Sequence, residues 1–347
     1  MKILVGARNE TYGFECALGE NILYAGLRSG LDLPYECGTG TCGTCKARLK
    51  SGDVVSAWPE APGYAGLKPE QGEILMCQAV PDTDGELEVA RSVKPMPSGA
   101  CVPVHVAAVI RSRKSLTHDV VSLDVDLERP IDVEAGQFMV MSVPGIRGGR
   151  AYSMVNYERQ ARRLAFVVKS KPGGRFSEWF FGDGVEGAPV HLFGPLGHAT
   201  FDPAIAKDLL CIAGASGIAG MMAILSCASR AGYFERHRAD LFFGVRTACD
   251  LFFLDELAAL KATSPDRLGL TLALSEEDVD EALAAAHPAF AFGRGFVHAV
   301  AGERMKGKYQ NVRAYVAGPP PMVNATLRML LLEGRLSSDN IRYDKFS

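Results

Sequence analysis

Cys37-Gly38-Thr39-Gly40-Thr41-Cys42-Gly43-Thr44-Cys45 sets three cysteines at the spacing C-x4-C-x2-C, and a fourth, Cys77, follows after 31 intervening residues in Ile74-Leu75-Met76-Cys77-Gln78-Ala79. This spacing is the plant-type [2Fe-2S] pattern. Such a cluster needs four thiolates converging from one tight loop and one distant strand. The Gly-Thr-Gly-Thr and Gly-Thr spacers let the backbone curl around inorganic sulfide and turn its N–H groups toward sulfur. The same four thiolates also suit zinc, but zinc ribbons usually pair two C-x2-C knuckles, and here the last cysteine stands alone. Cys16, Cys101, Cys211, Cys227 and Cys249 have no such company and read as core or surface thiols.

Outward from this loop, KILVGA and FECAL read as strands around a turn, NILYAGLRSG as a short helix closed by Gly30, and KARLKSG and GELEVA as further strands. Residues 1–94 are therefore expected to form a small mixed α/β domain, and Lys94 to Pro103, rich in breakers, a linker over 95–103. From 104 to 202 the runs VHVAAVI, VVSLDVDL, QFMVMSV, LAFVVKS and PVHLFG are short, alternating or β-branched, and separated by Gly and Pro, as in an antiparallel barrel. From 203 to 347 strand and helix patterns alternate: LLCIA then MMAILSCASRAG, ADLFFGV then LFFLDELAAL, LGLTLAL, and AYVAG then PPMVNATLRMLLLEG. That order predicts a parallel sheet flanked by helices.

With 347 residues, 48% of them hydrophobic and 22% charged, the chain can bury two or three cores. Leu209 to Ser229 carries no charge over a length that could span a membrane, but its centre, Gly214 to Gly220, is turn-forming and divides it into strand, loop and helix. The first residues lack a signal-peptide pattern, so a cytoplasmic location is expected. Net charge is −3, and residues 1–94 hold 9 Lys+Arg against 13 Asp+Glu. That acidity is unsuited to nucleic acid; it would steer a basic site on a protein partner, or serve only as ordinary solubility charge.

Arg150-Ala151-Tyr152-Ser153 follows one expected barrel strand and Gly173-Gly174-Arg175-Phe176-Ser177 another. Each alone reads equally as a turn. Together they offer what a flavin dinucleotide needs: a guanidinium for pyrophosphate, an aromatic face, a hydroxyl for the ring edge, and glycines that bare backbone N–H groups. Gly214-Ala215-Ser216-Gly217-Ile218-Ala219-Gly220 lies between strand and helix, where a nucleotide pyrophosphate can meet a helix start, although it is not the G-x-G-x-x-G fingerprint. Arg246 in Phe243-Gly244-Val245-Arg246, and Gly318, Pro319, Pro320 and Met322 after AYVA, fall just past other strand ends, either as plain turns or as the rim of a coenzyme cleft. One arginine and Asp250, with no second base, favour NADH over NADPH.

With these motifs in this order, the whole chain resembles the ferredoxin-NADP reductase superfamily, specifically oxygenase reductases with an N-terminal ferredoxin domain, and is similar to toluene and xylene monooxygenase reductases. The resemblance implies a multidomain α+β chain: a β-grasp-like [2Fe-2S] ferredoxin domain, an antiparallel β-barrel FAD domain and an α/β parallel-sheet NAD domain. It implies that Cys37, Cys42, Cys45 and Cys77 ligate the cluster. Arg150, Ala151 and the Gly173–Ser177 loop would bind FAD, with Tyr152 on the isoalloxazine, Ser153 near flavin N5 and Phe346 on the other flavin face. Gly214, Ala215, Ser216, Gly217, Arg246, Gly318, Pro319, Pro320 and Met322 would take NADH. The family often has Cys where Ala317 stands and Pro where Gly220 stands, which removes a thiol near the nicotinamide and implies a looser pyrophosphate loop.

The activity implied is hydride transfer from NADH to FAD and single-electron transfer through [2Fe-2S] to an oxygenase hydroxylase component, a Rieske-type oxygenase or a small ferredoxin. Two rivals are a redox-sensing module without turnover, which NADH-dependent dye reduction would exclude, and a reductase running from ferredoxin to NADP, which coenzyme preference would separate.

Overall fold

Ile3 and Val5 are buried and Lys2 is exposed, so Lys2–Gly6 (β1) has the period-two pattern of a strand with one covered face. In the computed structural model, which describes residues 1–345, there follow Thr11–Glu15 (β2), the helix Ile22–Arg28 (α1), Lys46–Ser51 (β3), Val54–Ser56 (β4), Glu73–Leu75 (β5), Ala79–Pro81 (β6) and Gly85–Glu88 (β7). Five of these strands make a mixed sheet in the order β2-β1-β7-β3-β5, and β4 pairs with β6. The Asn21 side chain accepts the Tyr24 backbone N–H at 2.9 Å, satisfying a first-turn donor and starting α1 at that point. A Cβ on Gly26 would stand 2.3 Å from Leu33 Cδ1, so glycine lets the chain beyond the helix fold back closely on it. The cysteine loop joins α1 to β3, and Cys77 lies between β5 and β6.

By its contacts the chain divides into one unit of Met1–Ala108, Met139–Ala151 and Pro189–Leu196, and a second of Val109–Phe138, Tyr152–Ala188 and the chain from Gly197. Val104–Ser115 (β8), Val120–Ile131 (β9), Phe138–Ser142 (β10), Arg150–Ser153 (β11), Ala161–Lys169 (β12) and Pro189–Leu196 (β13) form the barrel-like sheet, with a short helix, Arg175–Trp179 (α2), between the last two. In the first unit its order runs β11-β10-β13-β8; in the second it runs β8-β9-β12, with β9 and β12 antiparallel. Within the first unit, Glu20 accepts hydrogen bonds from Arg28 Nε at 3.0 Å and Nη2 at 2.9 Å and lies 2.9 Å from His105 Nε2 of β8. Burial alone would raise the Glu20 carboxyl; His105 and Arg28 outweigh it and hold the group at about 2. The Tyr24 ring of α1 stacks on Phe193 of β13 at 3.9 Å.

The second unit continues with Asp208–Gly214 (β14), Ile218–Arg230 (α3), Ala239–Val245 (β15), Leu254–Thr263 (α4), Leu268–Leu274 (β16), Glu281–Ala286 (α5), Ala291–Arg294 (β17), Val297–Met305 (α6), Val312–Gly318 (β18), Pro320–Leu332 (α7) and Ile341–Lys345 (β19). The strands order β17-β16-β15-β14-β18-β19 with every neighbouring pair parallel. β14 is covered on both faces, as its unbroken apolar run requires. Cys211 and Ala213 enter a core with Ile218, Met222 and Leu225 of α3 and Leu257 of α4, while Leu210 and Ile212 enter another with Val300 of α6 and Leu330 of α7. The uncharged stretch from Leu209 is thus β14, a turn and α3, and among the described residues no helix is long and apolar enough to cross a membrane.

Candidate functional site

The cysteine loop curls because Gly38, Gly40 and Gly43 take φ of +66°, +90° and +77°, a region that side chains other than hydrogen enter only with strain. A Cβ on Gly40 would also come within 3.0 Å of Ala61 Cβ and Gln78 Nε2. The curl aims the Thr39 N–H at Cys37 Sγ, 3.3 Å away, and the Thr44 N–H at Cys42 Sγ, 3.5 Å away; Gln78 Nε2 lies 3.7 Å from Cys77 Sγ. Cys37, Cys45 and Cys77 are buried and Cys42 is exposed. Cys45 and Cys77 Sγ are 3.2 Å apart, and Cys37 and Cys42 stand close enough to shift each other's titration. The neighbouring Cys42, with help from Thr41 and Thr39 and against burial, pulls Cys37 down to about 4, while Cys42 is pushed up by that same partner. Backbone N–H groups aimed at cysteine sulfur suit a [2Fe-2S] group, whose potential such donors tune. The Tyr24 hydroxyl donates to Gly38 O at 3.0 Å, tying the loop to α1.

The first unit also carries Arg150 and Ala151. Arg150 Cζ lies 4.7 Å from the centroid of the Trp58 ring, and its Nη1 donates to Gly149 O at 2.9 Å. In the second unit, Tyr152 stacks near Phe176 at 6.3 Å and meets Phe180 edge-on at 6.1 Å. Ser153 is buried, and its Oγ has no hydrogen-bond partner among the described residues, so a bound group can supply one. Gly220 does not lie in the turn; it sits in the first turn of α3, and a Cβ there would stand 3.6 Å from Ser153 Cβ. The departure from proline therefore widens the space beside Ser153. In the Gly173–Ser177 loop Gly173 has φ +72°, its N–H binds Glu178 Oε1 at 2.8 Å, and Ser177 Oγ accepts the Lys171 N–H at 2.9 Å and donates to Gly174 O at 3.0 Å. Ser177 thus holds the loop shape from within, and Arg175 begins α2.

At the carboxyl ends of β14, β15 and β18 lies a cavity of about 250 Å³ whose lining includes Gly214, Ala215, Arg246, Pro319 and Met322. Ser216, Gly217, Gly318 and Pro320 are not part of that lining. Gly217 and Gly318 instead bring the β14 turn and the end of β18 together: a Cβ on Gly217 would stand 2.3 Å from Ala317 O, and Gly318 has φ +151° with Gly214 O 3.0 Å from its Cβ position. Sequence reasoning missed Lys169, Ser275 and Phe296, which also line the cavity. It also missed Asp119. Arg246, half-exposed, has Nη2 3.9 Å from Asp119 Oδ2 and Nε 3.8 Å from Asp250 Oδ2. Asp119 in turn pairs with Lys169; burial would raise its carboxyl, but that lysine holds it below the ordinary range. Asp250 accepts the Thr247 N–H at 3.1 Å and so shapes the loop after β15. Phe346 lies outside the described residues.

Family models match residues 7–82 as a 2Fe-2S iron-sulfur cluster binding domain, 107–201 as an oxidoreductase FAD-binding domain and 211–328 as an oxidoreductase NAD-binding domain. Over 344 residues the chain is 34% identical to the ferredoxin–NAD(+) reductase component of the alkene monooxygenase system of Xanthobacter autotrophicus, covering 97% of this chain and 99% of that one. It is 33% identical over 322 residues to the xylene/toluene monooxygenase electron transfer component of Pseudomonas putida, covering 92% and 87%. Among solved structures it matches the ferredoxin reductase in carbazole 1,9a-dioxygenase with a TM-score of 0.85 at 31% identity, covering 100% of this chain and 99% of that one.

Proposed function

The chain belongs to the ferredoxin–NAD(P)+ reductase family, as an oxidoreductase with [2Fe-2S], FAD-binding and NAD-binding domains, and from that premise we propose that it draws electrons from NADH for the oxygenase component of a multicomponent system or for a small Rieske or plant-type ferredoxin. The observation that carries this reading is the glycine-curled loop whose backbone N–H groups point at Cys37 and Cys42 Sγ, with Cys45 Sγ 3.2 Å from Cys77 Sγ. Bound FAD supplies the conversion of a hydride into electrons released one at a time. Arg150 would bind its pyrophosphate with the Gly173–Ser177 loop, Tyr152 would pack on the ring, and the unpaired Ser153 hydroxyl would meet the ring edge. Gly214, Ala215, Pro319 and Met322 would seat NADH, with Gly217, Gly318 and Pro320 shaping the turns behind them. We assign residues 1–94 to the cluster domain, 95–103 to a linker, 104–202 to the FAD domain and 203–347 to the NAD domain. NADH as donor and a cluster held by reduced thiolates support a cytoplasmic setting.

Purified protein is expected to hold one [2Fe-2S] cluster and one FAD per chain, measured as iron, acid-labile sulfide and released flavin. Zinc, or iron without sulfide, would refute the cluster assignment.

Coenzyme choice follows from Arg246. A 2′-phosphate needs cationic neighbours, and this guanidinium already lies between Asp119 and Asp250. The two carboxylates offset a charge-assisted contact worth about 1.5–3 kcal/mol. NADH should therefore exceed NADPH in kcat/KM by at least about tenfold, equivalent to about 1.4 kcal/mol. Steady-state kinetics with both coenzymes reads this directly, and an equal or reversed preference would mean that Arg246 serves the phosphate.

A further inference from the structure

We propose that Trp58, which belongs to the cysteine-bearing part of the chain, is a positioning residue for FAD: its indole holds the Arg150 guanidinium in the orientation that meets the FAD pyrophosphate. The inference rests on the reading of Arg150 given above. Arg150 Cζ stands 4.7 Å from the indole centroid, within the range of a cation–π contact, which is strongest over tryptophan. The same guanidinium donates from Nη1 to Gly149 O at 2.9 Å. The preceding turn closes around it: Gly148 has φ +77°, and a Cβ there would lie 3.5 Å from Arg150 Nη1 and 3.9 Å from Trp58 Cε3. Trp58 is itself held beside the cluster loop. Its carbonyl accepts the Ala61 N–H at 3.1 Å, the neighbouring Ala57 N–H binds Gln78 O at 2.8 Å, and a Cβ on Gly40 would stand 3.0 Å from Ala61 Cβ.

Stacking engages the face of a guanidinium, whereas its N–H donors lie in the plane and point outward, where phosphate oxygens bind in bidentate fashion. The two contacts therefore use different parts of one group and add rather than compete. An arginine already held over the ring loses less rotamer freedom when it binds phosphate, so the indole raises affinity by pre-organisation. The consequence is that a residue of the cysteine-bearing part controls how tightly the flavin is held.

The test titrates full-length, FAD-stripped protein with FAD by quenching of flavin fluorescence, with iron and sulfide content checked for each variant. Arg150→Ala should weaken binding by at least about tenfold, and Trp58→Leu, which keeps apolar bulk but removes the ring, by about tenfold, or about 1.4 kcal/mol. Trp58→Phe should stay within about threefold of wild type. The double variant R150A/W58L should bind no more weakly than R150A alone, since the ring acts only through the guanidinium. Wild-type binding by W58L beside a weakened R150A would overturn the role of Trp58 and leave the Arg150 reading intact. Wild-type binding by R150A would overturn both, and additive losses would show that Trp58 acts by another route. If the leucine variant does not fold, fluorinated tryptophan at position 58 weakens the ring face at nearly constant shape. FAD affinity should then fall stepwise with each added fluorine, and a flat series would overturn the proposal.

Discussion

Replacing Cys42 with alanine is expected to abolish NADH-dependent reduction of cytochrome c and of the natural electron acceptor while leaving ferricyanide reduction by NADH close to wild type. Cys42 is exposed, so the substitution disturbs little packing. It leaves Cys37, Cys45 and Cys77, the last two with sulfurs 3.2 Å apart. On the proposed four-thiolate assignment, a cluster deprived of one thiolate would not be stably held. The coenzyme cavity, by contrast, is lined wholly by residues of the second unit, far along the chain from Cys42. Ferricyanide can take electrons from a reduced flavin directly, so it reports hydride delivery alone. The cytochrome c rate should fall by at least about a hundredfold, or roughly 2.7 kcal/mol in the effective barrier, and ferricyanide turnover by less than about threefold. Equal loss of both activities in a variant that still binds FAD would contradict the order of carriers, because the flavin's electrons would then need the cluster to reach ferricyanide.

How much of this was legible in the sequence depended on how local the determinants were. The curl of the cysteine loop was readable because its three left-handed glycines and three of the four spaced cysteines fall within nine consecutive residues. The strand and helix around Gly214–Gly220 were readable for a related reason: a parallel strand buried on both faces must be continuously apolar, and the break in that run marks the turn. Segments with weaker patterning were passed over. α6 has no side-chain cap at Phe296, β17 is four residues long, and β19, which extends the sheet beside β18, buries only Ile341. The neighbours of the candidate coenzyme residues were invisible for a different reason. Asp119, in the turn before β9, and Lys169, at the end of β12, lie more than 75 residues before Arg246, and nothing in their own flanks indicates what they approach. Trp58 is equally remote from Arg150, and a lone tryptophan in a loop carries no signal of a guanidinium partner.

Gly217 shows how a glycine that read as a coenzyme contact matters instead for the space it leaves. Its φ is −60°, available to any residue, so conformational freedom is not the reason glycine stands there. The reason is proximity. A Cβ would lie 2.3 Å from Ala317 O, 2.5 Å from Ala317 C and 2.8 Å from Gly318 N, all backbone atoms at the end of β18. No side chain can swing aside to make room. Either the turn after β14 or the end of β18 must move, and both border the cavity through Gly214, Ala215 and Pro319. Overpacking of this kind costs about 1–3 kcal/mol and more where backbone must shift. Gly217→Ala should therefore lower the melting temperature of the second unit and reduce NADH-dependent ferricyanide turnover by at least about a hundredfold, chiefly through a raised KM for NADH. The visible spectrum of the cluster, held in the other unit, should persist. Gly220→Ala, three residues later in the same chain segment, is the control for stability. Its Cβ would meet Ser153 at 3.6 Å, an ordinary van der Waals distance, and alanine is better than glycine by about 1 kcal/mol inside a helix. Thermal unfolding of the two variants side by side separates the effects: G220A should melt at or above the wild-type temperature and G217A well below it. A G217A protein with wild-type melting and wild-type KM for NADH would mean that the turn and β18 do not approach as closely as described, and that the coenzyme cleft is not built on that contact.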